Sequence, residues 1–246
     1  MKKHVNYWIV LLLLLTFSVS KAQENYQPGY AILNDGTRVS GSILIYDDAP
    51  WFNQRFIFLK DSVAIIGNPD VKPKKYKVDD MKFYQAGSRA FEKIHFVDAE
   101  NLQLKSLGSN DHMMERLSAG RINSYRFYSY PEEVEVYMMT TPADIAEKRR
   151  LKTNELIRGF KILAIKDNTG KPKNAFDADL QKYFEDTPEV LQKYKNGTYG
   201  NEPIMVKKGL AARMVAMAMK TAFKPKEAEA IIVAFNDYNE KNISKK

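Results

Sequence analysis

Cysteine is absent from all 246 residues, so the chain has no disulfide framework, no thiolate nucleophile, no cysteine zinc site and no lipidated cysteine. Histidine is nearly absent as well. Of the three present, only His95 and His112 lie beyond the leader segment, and neither has an H-x-x-H or H-E-x-x-H neighbour, which removes the common zinc-hydrolase signatures. The serines offer no nucleophile motif: Ser42, Ser88 and Ser109 follow single glycines, and none stands in G-x-S-x-G or S-x-x-K. Asp167-Asn168-Thr169-Gly170 lacks the alternating ligands and terminal Glu of an EF-hand loop and reads as a glycine turn. No internal repeat or low-complexity segment is visible. These absences leave no catalytic residue, metal site or cofactor to name.

What is present is globular. The chain is 44% apolar and 28% charged, which excludes collagen-like, coiled-coil and wholly disordered readings. Lys2 and Lys3 precede an apolar run from Val5 to Val19, and Ser20 and Ala22 stand at −3 and −1 before Gln23. That is the pattern of a secretory signal peptide at 1–22. Its apolar core is shorter than the roughly 20 residues that span a bilayer, and no transmembrane helix is expected after cleavage. The expected location is the periplasm or outer cell envelope, where ATP is not an expected cofactor and nucleic acid is not an expected partner.

Charge is unevenly placed. Residues 23–140 carry 14 basic against 16 acidic side chains, a net −2, whereas residues 141–246 carry 21 against 14, a net +7. The basic run Lys148, Arg149, Arg150 and Lys152 is the candidate surface for an anionic glycan, a glycolipid or another envelope protein.

Residues 23–140 read as a β-rich domain. Tyr30–Leu33 and Arg38–Tyr46 flank Asn34-Asp35-Gly36-Thr37, a hairpin turn in which Asp35 and Gly36 tolerate positive φ. Further strands are expected at Arg55–Leu59, Lys74–Val78, Lys82–Gln85 and Phe91–Val97. A short helix is expected at Asp111–Ala119, ending at Gly120. A second hairpin joins Ile122–Tyr130 to Glu133–Met139. Residues 141–246 read as mainly helical, with Thr141 and Pro142 opening a helix to Arg158. Phe160–Lys166 is expected as one isolated strand, the alternative being a continued helix. Leu180, Tyr183 and Phe184 share a helical face, Thr187-Pro188 restarts a helix, Leu210–Met219 is a methionine-rich core helix, and the stripe Ala228, Ile231, Ile232, Phe235 and Tyr238 marks the last helix. Asn242–Lys246 reads as a frayed polar tail.

Two groups remain as candidate chemistry. The pairs Asp47/Asp48, Asp79/Asp80 and Asp177/Asp179 supply the residue type of a glycoside hydrolase, although Asp at strand ends is commonly a turn former. Trp51, Phe52, Phe56 and Phe58 offer rings for sugar stacking; alternation assigns Phe56 and Phe58 to the core and leaves Trp51 and Phe52 as the contact pair.

Leu33-Asn34-Asp35-Gly36-Thr37-Arg38-Val39-Ser40-Gly41-Ser42-Ile43, with Asn53 after it, resembles the hairpin of Sm-like small barrels; those bind RNA, a function the leader segment opposes. More broadly, the leader ending Ala22-Gln23, Gly29-Tyr30 to Gly41, Leu117–Gly120 into Tyr125 and Tyr128, Leu180-x-x-Tyr-Phe-x-Asp-x-Pro and Tyr238-Asn239 resemble uncharacterised exported envelope proteins of Bacteroidota-type bacteria. That resemblance implies an envelope location and no activity. The expected fold is α+β, an N-terminal antiparallel β-rich roll or partly open barrel followed by a C-terminal mainly helical region. The expected function is a non-enzymatic envelope binding or accessory protein. A carboxylate-pair hydrolase and a binder of anionic glycolipid or polysaccharide through the basic C-terminal region are the alternatives.

Overall fold

The computed structural model describes residues 25–68, 70–98, 110–131, 141–204 and 225–243. The leader at 1–22, the expected strand Glu133–Met139 and the methionine-rich Leu210–Met219 lie outside the described residues.

Strands β1 (Tyr26–Leu33) and β2 (Arg38–Leu44) form the opening hairpin, with Gly36 at φ 91° in its turn and Thr37 N donating to Asp35 Oδ1 at 2.8 Å. β3 (Phe56–Asp61) and β4 (Lys74–Lys77) follow, separated by a short helix α1 (Ser62–Gly67). A 3₁₀ turn, Val78–Asp80, leads to β5 (Met81–Ala86), which returns to pair with β1 and forms a tight hairpin with β6 (Arg89–His95). β7 (Asp111–Ser118), β8 (Ile122–Phe127), β9 (Lys161–Lys166) and β10 (Lys173–Asn174) continue the meander. All ten strands belong to one antiparallel sheet in the order β10-β9-β8-β7-β6-β5-β1-β2-β3-β4. The remaining helices are α2 (Pro142–Arg158), α3 (Leu180–Phe184), α4 (Pro188–Lys195) and α5 (Pro225–Lys241).

This corrects the expected fold class. There is no β body followed by a mainly helical one; a single open sheet runs through the boundary at residue 140, and β9 and β10 from the expected helical region are its last two strands. Phe160–Lys166 is therefore a strand, but not an isolated one, since it pairs with β8 on one side and β10 on the other. Composition misled here because helices α3–α5 pack over strands that are themselves few and short, so helical periodicity dominates the local sequence.

A sharper correction concerns Asp111–Ala119, which is β7 and not a helix. His112, Met113 and Met114 are all buried: Met113 faces the core of β1–β6, and Met114 faces an aromatic cluster on the opposite side of the sheet. A strand covered on both faces loses its apolar–polar alternation, and the spacing of Met113, Met114 and Leu117 then imitates a helical face. Gly120 ends no helix. It makes room for Asn239 of α5, whose Cγ would lie 2.5 Å from any Cβ placed there.

Strand curvature is written in two glycines. Gly29 and Gly41 face each other across β1 and β2, and a Cβ at either would meet Gln85 O at 1.9 Å or Lys60 O at 2.0 Å. Only glycine admits so close an approach of neighbouring backbone. The sheet coils there, and its inner face closes over Ala31, Ile43, Ile57, Leu59, Met81, Tyr84 and Phe91. At the other end, Ile122, Ile162 and Ala164 are covered by Leu180, Phe184 and Val190 and by Ala228, Ile231, Ala234, Phe235 and Tyr238 of α5. A third cluster, on the opposite side of the sheet, holds Trp51, Met114, Tyr125, Phe127, Tyr130 and Leu163, with Leu156 and Ile157 from the end of α2.

Asn242 departs from the expected frayed tail. It is buried, and its Nδ2 donates to Thr187 Oγ1 at 3.0 Å and to Tyr238 O at 2.8 Å, locking the end of α5 onto the start of α4.

Candidate functional site

The site grows from the loop between β2 and β3. Asn53 and Gln54, both buried, use their amide side chains as surrogate strand backbone. Asn53 accepts from Tyr46 N at 2.8 Å and donates to Leu44 O at 2.9 Å, while Gln54 accepts from Tyr128 N at 2.7 Å and donates to Tyr128 O at 2.8 Å. Each amide thus satisfies a donor and an acceptor of a strand end that would otherwise be orphaned. Met113 N donates to Gln54 O at 2.9 Å, which ties the loop to β7.

Held this way, the loop separates its two aromatics. Trp51 is only 6% exposed and packs inward, whereas Phe52 is 42% exposed. Of the pair expected as the contact, Phe52 alone faces outward. Phe52 stacks on Phe56 at 5.7 Å between ring centroids, Phe56 meets Phe58 edge-on at 5.6 Å, and Tyr46 closes on Phe52 at 5.6 Å. Phe56 and Phe58 are therefore not core residues. They stand half-buried on the outer face of β3, while Ile57 and Leu59 fill the interior.

Cations lie on these rings. Lys75 Nζ sits 3.9 Å from the centroid of Phe56, and Lys60 Nζ sits 4.1 Å from that of Tyr26. The same face continues across β1, β2 and β5, where Arg38 lies 3.6 Å over Tyr30 and Tyr30 packs on Phe83 at 5.7 Å. A cation on an exposed ring is held by about 0.5–1 kcal/mol. An anion arriving at this face can therefore draw a lysine from its ring at small cost, pairing with the ammonium and uncovering an apolar platform in the same step.

The missed members of this face are Tyr46, Lys60 and Lys75. Their signal lies in the partner strand. Phe56 pairs with Lys77 and Phe58 with Lys75, and paired residues share a face, so the lysines of β4 assign both phenylalanines to the solvent side.

The basic run lies elsewhere. Lys148, Arg149, Arg150 and Lys152 are all exposed on α2, a helix without a buried residue. Arg150 is engaged by Glu147 at 2.6 Å, which holds the Glu147 carboxyl below its usual range. Among the described residues, the end of α2 places Leu156 and Ile157 in the cluster that holds Trp51, and the basic run stands on the exposed part of the helix.

Four members of the carboxylate pairs are engaged by backbone, amide or cation contacts. Asp47 accepts from Asn25 Nδ2 at 2.5 Å and lies 3.7 Å from Arg89; Asp80 accepts from Lys77 N at 2.8 Å; Asp177 accepts from Asn174 Nδ2 at 2.6 Å; and Asp179 accepts from Gln181 N at 3.3 Å as the cap of α3. A glycosidase acid needs a carboxyl pushed upward by its surroundings. Among the described residues, every carboxyl group with a resolved shift moves downward: Asp35 through the Thr37 backbone, Glu147 through Arg150, Asp167 through Arg121, Glu189 through Lys241 and Lys193, and Asp186 and Asp237 through cation and tyrosine hydrogen bonds that outweigh their burial.

The histidines are divided. His95 is exposed, with Nδ1 2.8 Å from Asp111 Oδ1. His112 is buried between Tyr130 Oη and Phe96 O, each 3.2 Å from a ring nitrogen, and desolvation together with the nearby Arg55 charge pushes its pKa down to about 4. Among the described residues, no group of three His, Cys, Asp or Glu side chains is placed to hold a metal ion, and no helix is long and apolar enough to cross a membrane. Comparison of the chain with family models, with curated proteins and with solved structures finds no match.

Proposed function

We propose that this chain is an exported, non-enzymatic binding protein of the cell envelope whose outer sheet face takes an anionic glycan. The observation that carries the reading is the row of rings Tyr46, Phe52, Phe56 and Phe58 with Lys75 lying on it. Rings present flat apolar faces to the C–H groups of a pyranose, and the lysine supplies the counter-charge for a carboxylate or phosphate substituent. Export rests on the Lys2–Ala22 leader pattern, and with export comes a glycan-rich surrounding rather than a nucleic acid.

The test is titration of the full chain with polygalacturonate and with its neutral methyl ester. The charged polymer binds and the neutral one binds much more weakly. Replacing Phe56 and Phe58 together with alanine lowers affinity by about tenfold or more, equivalent to about 1.4 kcal/mol, and Lys75→Ala removes most of the preference for the charged polymer. Equal binding by wild type and the double variant sinks the proposal. Intact mass of the exported protein checks the other half: a mature chain beginning at Gln23 supports export, and retention of Met1–Ala22 in the envelope fraction counts against it.

A further inference from the structure

The connection from β3 to β4 carries a second surface of different chemistry. Helix α1 reads Ser-Val-Ala-Ile-Ile-Gly and buries none of its residues; Val63 is 76% exposed and Ile66 is 87% exposed, more than any other large apolar side chain among the described residues. Burial does not explain why this turn of helix exists. Local hydrogen bonds do: Asp61 caps it by accepting from Val63 N at 2.8 Å, Asn68 N closes on Ala64 O at 3.0 Å, and Ser62 Oγ donates to Ser40 O at 3.0 Å. The backbone is thus fixed in a form that holds two aliphatic side chains out into solvent.

The charge around the tip is equally particular. Between residues 60 and 77 stand Lys60, Lys72, Lys74, Lys75 and Lys77 against Asp61 and Asp70. That short stretch is net +3 inside a half of the chain that is net −2, so the remainder of that half is net −5. Lys72, Lys74, Lys75 and Lys77 are all exposed. Two exposed aliphatic side chains on a connection whose flanking residues carry five lysines against two aspartates match the boundary between anionic headgroups and acyl chains: the aliphatics leave water while the ammonium groups meet phosphate. A groove-binding peptide or a flat protein interface would call for a broader apolar surface than these two side chains offer.

We propose that the β3–α1–β4 hairpin is a membrane-interface anchor for an anionic phospholipid surface, with Val63 and Ile66 entering the headgroup boundary and Lys72 and Lys74 pairing with headgroup phosphates. The anchor is weak and reversible, because so small an apolar tip gives marginal membrane affinity by itself. It stands apart from the glycan reading, since Val63 and Ile66 are not members of the ring row. The experiment is co-sedimentation of the full chain with vesicles of phosphatidylcholine containing a third phosphatidylglycerol, and with pure phosphatidylcholine. Wild type pellets with the anionic vesicles only. Val63→Asp with Ile66→Asp lowers the bound fraction by about tenfold or more and leaves the thermal midpoint unchanged, and Lys72→Glu with Lys74→Glu lowers binding severalfold in a salt-sensitive way. Phe56→Ala with Phe58→Ala leaves vesicle binding intact, which separates the two surfaces. Wild type remaining in the supernatant overturns the anchor, as does a double-aspartate variant that still pellets. A shift in thermal midpoint or oligomeric state of that variant also overturns it, because the tip is then covered by the chain itself or by a second copy.

Discussion

The two ends of the one sheet solve the same burial problem differently. At β8 and β9, both faces are covered: α3, α4 and α5 lie over one, and the aromatic cluster with Leu156 and Ile157 of α2 lies over the other. At β1–β4, the inner face is buried by the coil of the sheet itself, and the outer face is left with rings and the cations that lie on them. The seam at the helical end is polar as well as apolar. Asn239 exchanges two 2.8 Å hydrogen bonds with the backbone of Ile122, and Asp186 gathers Arg121 at 3.0 Å, Lys166 at 3.1 Å and the Tyr238 hydroxyl at 2.9 Å. Aromatic side chains thus serve stability where helices cover them and remain available for contact where, among the described residues, no layer is stacked over them.

The largest expected effect breaks the covered end. Phe235 is fully buried, with its ring 5.9 Å from Tyr183 and 6.0 Å from Phe184. Phe235→Ala removes that ring from a site that cannot collapse around the loss, at a cost of about 3–5 kcal/mol, a large share of the 5–15 kcal/mol typical of a whole domain. Urea unfolding should show the midpoint collapse. Phe56→Ala on the open face should cost under about 1 kcal/mol, the scale of a cross-strand pair. If the two substitutions shift the midpoint equally, the contrast between covered and open ends fails.

His112 gives the next effect, and it is read by acid. Its folded-state pKa of about 4 lies below the ordinary 6.5, so the unfolded chain takes up a proton that the folded chain refuses between those values. The associated stability is fully present above about pH 6.5 and is lost as pH falls through 4, amounting to about 3 kcal/mol across the window. Thermal midpoints measured from pH 7 to pH 4 should fall, and His112→Phe should flatten that stretch of the curve. The carboxyl groups held low by cations begin to lose their contribution only below about pH 5, so the stretch from pH 6.5 to about 5 is where the His112 effect is read free of them. An unaltered slope in the variant would place the acid sensitivity elsewhere.

Legibility in the sequence followed coverage. Where a segment has one wet face, its pattern is plain: the β1–β2 hairpin, the Thr141-Pro142 start and Arg158 end of α2, and the stripe of α5 all stand where periodicity and capping place them. Where both faces are dry, as in β7, the period disappears and a strand reads as a helix. The continuity of the sheet was hidden for another reason. It depends on pairing between segments far apart, such as Gln54 with Tyr128, and no local pattern encodes a side-chain amide acting as strand backbone. The aromatic face was half visible: Phe52, Phe56 and Phe58 were candidates from the start, but apolar residues occupy both phases of β3, and only the lysines of β4 tell inside from outside. The basic run on α2 is exposed, and no local pattern in the sequence tells how it stands to the rings of β3.

The smallest stability effect separates those two surfaces. Arg149→Glu with Arg150→Glu alters an exposed helix that, among the described residues, contributes Leu156 and Ile157 to the nearby core, so stability read from the unfolding midpoint should be almost unchanged. Part of that change is the lost Glu147–Arg150 pair and the like-charge contact that replaces it, both screened by water and weak. Polygalacturonate titration then divides the cases. With the glycan on the ring row, the double reversal weakens binding slightly at low salt and not at all once the Debye length has shrunk to about 3 Å in molar salt. With the glycan on α2, the reversal abolishes binding at low salt while Phe56→Ala with Phe58→Ala leaves it untouched. The second outcome would move the binding surface from the open end of the sheet to the helix, and the rings of β3 would then need a different occupant.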